Sequence, residues 1–255
     1  MQRPTLTLDS LPRGVWRATE MPDAHGATLP TGHTVLDAAL PGGGWPLRSV
    51  IDVLQPQPGV AELRLLSPAL AAVAATGEDL VLVGPPMPPH PAGIQQAGID
   101  ACRLTWIEAD TPLDRLWTVE QLVRAGSSGA IVAWLPRARG DQIRRLQVCA
   151  QDCAGPVFLV RPAEVAREPS AAPLRVLLEP ALDWEIHLQL LKCRGSVSGV
   201  RLTIPTIPPA IEPILTARSR RPAALIASRR TAQPPASGRT PSHAVDRTAP
   251  LRAGV

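Results

Sequence analysis

VLQPQPGVAEL, residues 53–63, is the stretch on which the reading of this chain turns. The apolar, β-branched run SVIDVL (49–54) enters it. An amphipathic run carrying Leu63, Leu66, Leu70 and Val73 leaves it. A period of two giving way to a period near 3.6 across a Gly/Pro turn marks a strand handing over to a helix. In nucleotide-binding α/β proteins this same junction holds the phosphate-gripping loop.

Such a loop needs glycines whose N–H groups cradle phosphate, a lysine for the β/γ oxygens and a hydroxyl for Mg²⁺. Here the junction reads Gln55, Pro56, Gln57, Pro58, Gly59, Val60, Ala61, Glu62. The two prolines have no N–H to offer. Val60 and Ala61 stand where glycine and lysine belong, and Glu62 stands near the hydroxyl position. The chain's one lysine, Lys192, is too distant for any shift of register to restore the motif. The partner requirement is an acid closing an apolar strand. GAIVAWL (129–135) is such a strand, but it offers Trp134 and no acid. The loop is therefore read as a degenerate phosphate loop, and the chain as not an enzyme. An NTPase built from unorthodox residues is the competing reading. Gly42-Gly43-Gly44 precedes the strand, so it is a turn and not a dinucleotide fingerprint.

Around the junction, apolar strands alternate with amphipathic segments. DLVLVG (79–84), LTWIEA (104–109), GAIVAWL and VFLV (157–160) read as strands. Pro68 is expected to kink the helix after the loop. Thr111, Pro112 and Asp114 form a helix start that runs to Gly126. Asp141 is expected to cap a further helix ending by Gly155, with Ile143, Leu146, Cys149 and Cys153 on one stripe. PLRVLLEP, WEIHLQLLKCRG and GVRLTI then read as consecutive strands. The fold class is α/β: a mainly parallel sheet flanked by helices, with antiparallel strands at the C-terminal end. The divisions are an N-terminal arm (1–27), a core domain (28–207) and a disordered Arg/Pro-rich tail (208–255).

Charge follows these divisions. Residues 217–255 hold eight Arg and one Asp, whereas residues 1–216 are net acidic by three. The basic pI thus belongs to the tail, which disfavours a uniformly basic DNA-binding domain. The tail has no aromatic residue for base stacking. It reads as a nucleic-acid tether, a segment that folds on a partner, or idle disorder. Cys102, Cys149, Cys153 and Cys193 show neither CxxC nor zinc spacing, and are read as core thiols against a metal or redox pair. Neither a leader-type N-terminus nor a run of 18 apolar residues is seen, so a cytoplasmic protein without membrane contact is expected, with no cofactor and no metal.

PTGHTVLDAALPGGGWPLRSVIDVL resembles the lead-in to the RecA core. From residue 28 to about 205 the body is similar to the ImuA family, RecA-like accessory proteins of damage-inducible translesion synthesis. The pieces carrying the likeness include LQPQPGVAELRLLSPAL, LVGPPMPPHPAGIQQAGID, LWTVEQLVRAGSSGAIVAWLPRA, RRLQVCAQ, FLVRP and LLKCRG. The resemblance implies a RecA-like core with degenerate Walker motifs. It also implies action beside ImuB and an error-prone polymerase, and contact with RecA itself. Direct DNA contact is left open. SulA-like inhibition of FtsZ is the alternative.

Carried over to this chain, the likeness puts Lys192 and Arg194 where RecA reaches the neighbouring subunit's nucleotide. They read as a partner contact or as a solvated strand end. Arg161 stands where RecA has a nucleotide-sensing Gln. Arg137 and Arg139 fall in the first DNA-loop position, and with Arg144 and Arg145 they read as phosphate contacts or a solvated face. Trp45, Trp106 and Trp134 are assigned to the core. Trp16 reads as a partner anchor or as packing of the arm on its own domain.

Overall fold

The strand–turn–helix junction lies at the centre of an eight-stranded sheet. The computed structural model describes residues 26–195, 198–223 and 226. A two-residue ribbon, β1 (Thr28–Leu29) with β2 (Trp45–Pro46), brackets α1 (Thr34–Ala39) and leads into the sheet. There follow β3 (Val50–Gln55), α2 (Glu62–Ala75), β4 (Leu80–Val83), α3 (Pro91–Gln96), β5 (Leu104–Ile107), α4 (Pro112–Ala125), β6 (Ala130–Trp134), α5 (Gly140–Ala150) and β7 (Val157–Pro162). The chain continues through β8 (Leu174–Pro180), β9 (Glu185–Cys193) and β10 (Arg201–Pro205) to α6 (Ala217–Arg220).

Sheet order is β10-β9-β8-β3-β7-β6-β4-β5. The expected α/β class holds: β8, β3, β7, β6, β4 and β5 run parallel, while β9 and β10 are antiparallel. β8 departs from the expectation, since it lies parallel beside β3 before the antiparallel strands begin. Every residue of β3, β4 and β6 is buried, which is why β4 and β6 read as unbroken apolar runs, while β3 also buries Asp52 and Gln55. Two cores fill the faces. Ile51, Val53, Leu82 and Phe158 meet α1, α2 and α3 on one side; Val50, Val81, Ile131 and Leu159 meet α4 and α5 on the other.

The helix ends follow local chemistry. Thr111 Oγ1 accepts from Asp114 N at 3.1 Å with Pro112 at the first helical position, as expected. Gly126, at φ 64°, closes α4 in the left-handed conformation that favours glycine. α5 differs from the expectation. Its N-cap is Arg139, whose backbone N–H donates to Gln142 Oε1 at 2.9 Å, and Asp141 is in the first turn. The helix stops at Ala150, so Cys153 lies beyond it. α2 runs on through Pro68. Trp45 and Trp134 are core residues, but Trp106 is not: β5 is the outer strand, and Trp106 is 41% exposed.

Regular structure continues past residue 207. A 3₁₀ turn spans Glu212–Ile214, and Trp184 Nε1 donates to Ser219 O in α6 at 2.9 Å. Among the described residues no helix is long and apolar enough to cross a membrane.

Candidate functional site

The loop after β3 is filled from within. Glu62 opens α2, is fully buried, and turns its carboxylate back into the loop. Oε1 accepts from Gly59 N at 2.5 Å, and Oε2 accepts from Ala61 N at 3.1 Å. Trp134, at the end of β6, donates its Nε1 to the same Oε1 at 2.8 Å. No cation pairs with this carboxylate among the described residues. Its charge is held by three N–H donors and by the positive end of the 14-residue α2. Backbone N–H groups at a helix N-terminus make an anion site, and here the anion is the protein's own. Gln55, Ala61 and Glu62 are buried, whereas Pro56, Gln57, Pro58, Gly59 and Val60 are exposed. Both polar side-chain atoms of Gln55 lack a partner among the described residues.

Beside the loop is a buried charge cluster that the sequence reading missed. Asp52, in the middle of β3, is flanked by β8 and β7. Arg175 pairs with it across the β3–β8 register, and Arg161 lies two residues along β7 from its partner there. Residues two apart on a strand share a face, so the three side chains converge. Asp52 Oδ2 accepts from Arg175 Nε at 3.0 Å and from Arg161 Nη1 at 3.2 Å. Arg161 Nη2 donates to Ala138 O at 2.7 Å. Arg175 donates to the carbonyls of Val165, Ala166 and Glu168. The cluster thereby ties the loops after β6 and β7 to the sheet. The only signal in sequence was an acid inside an apolar strand, SVIDVL.

The structure disperses the proposed contact residues. Arg161 is 3% exposed, so it is not a surface contact; burial and Asp52 claim its charge. Lys192 is turned back, its Nζ donating to Ser170 O at 2.8 Å, so Lys192 and Arg194 do not form a free pair. Arg194 is exposed at the end of β9. On the α5 side Arg137 and Arg144 are exposed without acidic partners among the described residues, while Arg139 pairs with Asp141 at 3.4 Å and Arg145 with Glu120. That surface is therefore half neutralised. Trp16 lies outside the described residues.

Three further groups are set by burial. His33 Nε2 meets the carbonyl of Leu65 at 3.0 Å, and loss of solvent lowers its pKa. Burial pushes the thiols of Cys153 and Cys193 up. Among the described residues no cluster of three or more His, Cys, Asp or Glu could hold a metal.

No protein-family model matches the chain. It is 30% identical to the cell division inhibitor SulA of Photorhabdus laumondii, over 32% of this chain and 60% of that protein. It is 31% identical to RecA of Streptomyces avermitilis, over 49% of this chain and 34% of that protein. The chain thus spans less than two thirds of either relative's length, and it is a distant relative of both SulA and RecA.

Proposed function

We propose that this chain is a non-catalytic accessory protein of SOS-induced translesion DNA synthesis, of the ImuA kind. In this reading it works beside ImuB and an error-prone polymerase, and it contacts RecA. One observation carries the non-catalytic part: Glu62 and Trp134 bond to each other at the two places where an NTPase keeps its Mg²⁺ hydroxyl and its acid. Phosphate entering the loop would have to displace a buried carboxylate from three donors and then meet its charge. The distant RecA similarity supports the scaffold, and the quoted motifs support the family.

The test has two arms. Mg²⁺–ATP is expected to leave the melting temperature of the full chain unchanged and to be hydrolysed no faster than in buffer. Pull-down of purified ImuB and RecA by the full chain is expected to succeed. ATP-dependent stabilisation would overturn the non-catalytic reading, and failure to capture either protein would overturn the repair assignment.

The alternative is a division inhibitor acting on FtsZ, favoured by the match that spans 60% of the Photorhabdus SulA. It predicts capture of FtsZ in the same assay and blocked septation on overexpression.

A further inference from the structure

Two neighbouring clefts open where the parallel strands end, the edge at which open α/β sheets receive ligands. One, of about 100 Å³, is walled by Pro58, Pro86, Pro136 and Pro162 and by Arg115 and Arg161. The other, of about 210 Å³, shares Pro136 and is lined by Leu113, Leu116 and Arg137. No acidic residue lines either cleft. Val60 and Met87 are exposed apolar residues on the loops around them, and Leu113 is exposed in the first turn of α4.

The arginines of the smaller cleft are fixed in place. Arg115 lies across Gly84, whose φ is +58°; a Cβ there would sit 2.6 Å from Arg115 Nε. Its Nε donates to Ala109 O at 2.8 Å. Among the described residues its two terminal NH₂ groups have no acceptor and it forms no ion pair. Arg161, almost wholly buried, spends Nη1 on Asp52 and Nη2 on Ala138 and lies 3.8 Å from Glu168, so it walls the cleft and leaves Arg115 as its open cation. A guanidinium with spare donors, held rigid and walled by proline rings, suits a planar carboxylate on a short apolar stem.

We infer that the paired clefts form a docking site for an acidic, apolar segment of a partner protein. A Glu or Asp carboxylate meets the terminal NH₂ groups of Arg115, and a neighbouring apolar side chain fills the Leu113–Leu116 cleft. Neither cleft alone reaches the roughly 300–1,000 Å³ of ordinary small-molecule sites. A nucleic-acid strand uses an open basic groove with stacking aromatics, and the surface here is narrow and proline-walled. The inference rests on the adaptor reading and supplies its contact surface.

The test is ¹⁵N NMR of the full chain, reading the Nε–H signal of Arg115. Acetyl-leucyl-glutamyl-leucinamide is titrated against the same peptide with glutamine for glutamate. A saturable shift of that signal is expected with the glutamate peptide. The glutamine peptide should bind about tenfold more weakly, the scale of one charge-assisted hydrogen bond. Arg115→Gln should abolish the preference with the amide spectrum otherwise intact. Should that variant fail to fold, Arg115→Lys should retain a reduced preference. Equal response to both peptides, no response at Arg115, or unchanged preference in both variants overturns the inference. So does saturation by inorganic phosphate or an oligothymidylate at lower concentration than by the peptide. Because the probe is a peptide, failure to capture ImuB or RecA would strike the repair assignment and leave this result readable.

Discussion

Trp134 Nε1 donates to Glu62 Oε1 at 2.8 Å, joining the C-terminal end of β6 to the first turn of α2. Each residue, read alone, is a departure from a nucleotide-binding motif. Together they are a buried hydrogen-bonded pair that closes the loop after β3. A buried tryptophan N–H requires an acceptor, and a buried carboxylate requires donors. Each supplies what the other lacks.

Removing the carboxylate should therefore be costly. Glu62→Ala leaves Trp134 Nε1 and two loop N–H groups unpaired, and is expected to lose about 3 kcal/mol in urea unfolding of the full chain. Glu62→Gln keeps one acceptor oxygen and should lose about half as much. Trp134→Phe removes one donor and should lose about 1–2 kcal/mol. In Glu62→Ala the vacated donors should make sulfate stabilising in a thermal shift, an effect absent from the parent chain. A neutral Glu62→Ala would mean that the carboxylate does not hold the loop.

The Asp52 cluster predicts a larger effect. Asp52→Asn strips the counter-charge from two guanidinium groups that are 2% and 6% exposed. Breaking a buried pair by removing one partner costs about 3–5 kcal/mol. Replacing Asp52, Arg161 and Arg175 together by apolar residues of similar volume should cost far less, because no charge is stranded. Denaturant midpoints of the two variants, compared with the parent, decide this.

His33 gives a pH dependence. Its folded-state pKa is lowered, chiefly by burial, with the Leu65 carbonyl and Asp37 opposing. The unfolded chain then binds the proton more readily, so stability is full above about pH 6.5 and falls as pH drops through the interval below it. His33→Asn should flatten that slope in melting temperature measured across the interval. A slope unchanged in the variant would assign it to other groups.

Thiol labelling should separate the cysteines. Cys102 is exposed and Cys149 half-buried, whereas Cys153 and Cys193 are buried with thiols pushed up. Maleimide at neutral pH should modify Cys102 first and Cys149 next, with Cys153 and Cys193 protected until unfolding. Early labelling of Cys193 would show that the β8–β9 pairing opens at its Leu174–Cys193 end.

Local chemistry determined much of this molecule. The central strands β4 and β6 could be read because burial on both faces demands unbroken apolar runs, and α4 because Thr111, Pro112 and Gly126 mark its ends without outside help. The same local reading found a loop with too few glycines and no lysine. Tertiary structure alone decided what stands there instead. Glu62 and Trp134 are 72 residues apart in the chain, and no period or motif links them. Arg161 read as a surface charge because a sequence does not show that Asp52 and Arg175 share its face. Trp106 read as core because the apolar run LTWI does not reveal that its strand lies at the sheet's edge, with one neighbour instead of two. Strand order, a long-range property of the whole chain, separates the buried charge from the free one and the covered ring from the open one.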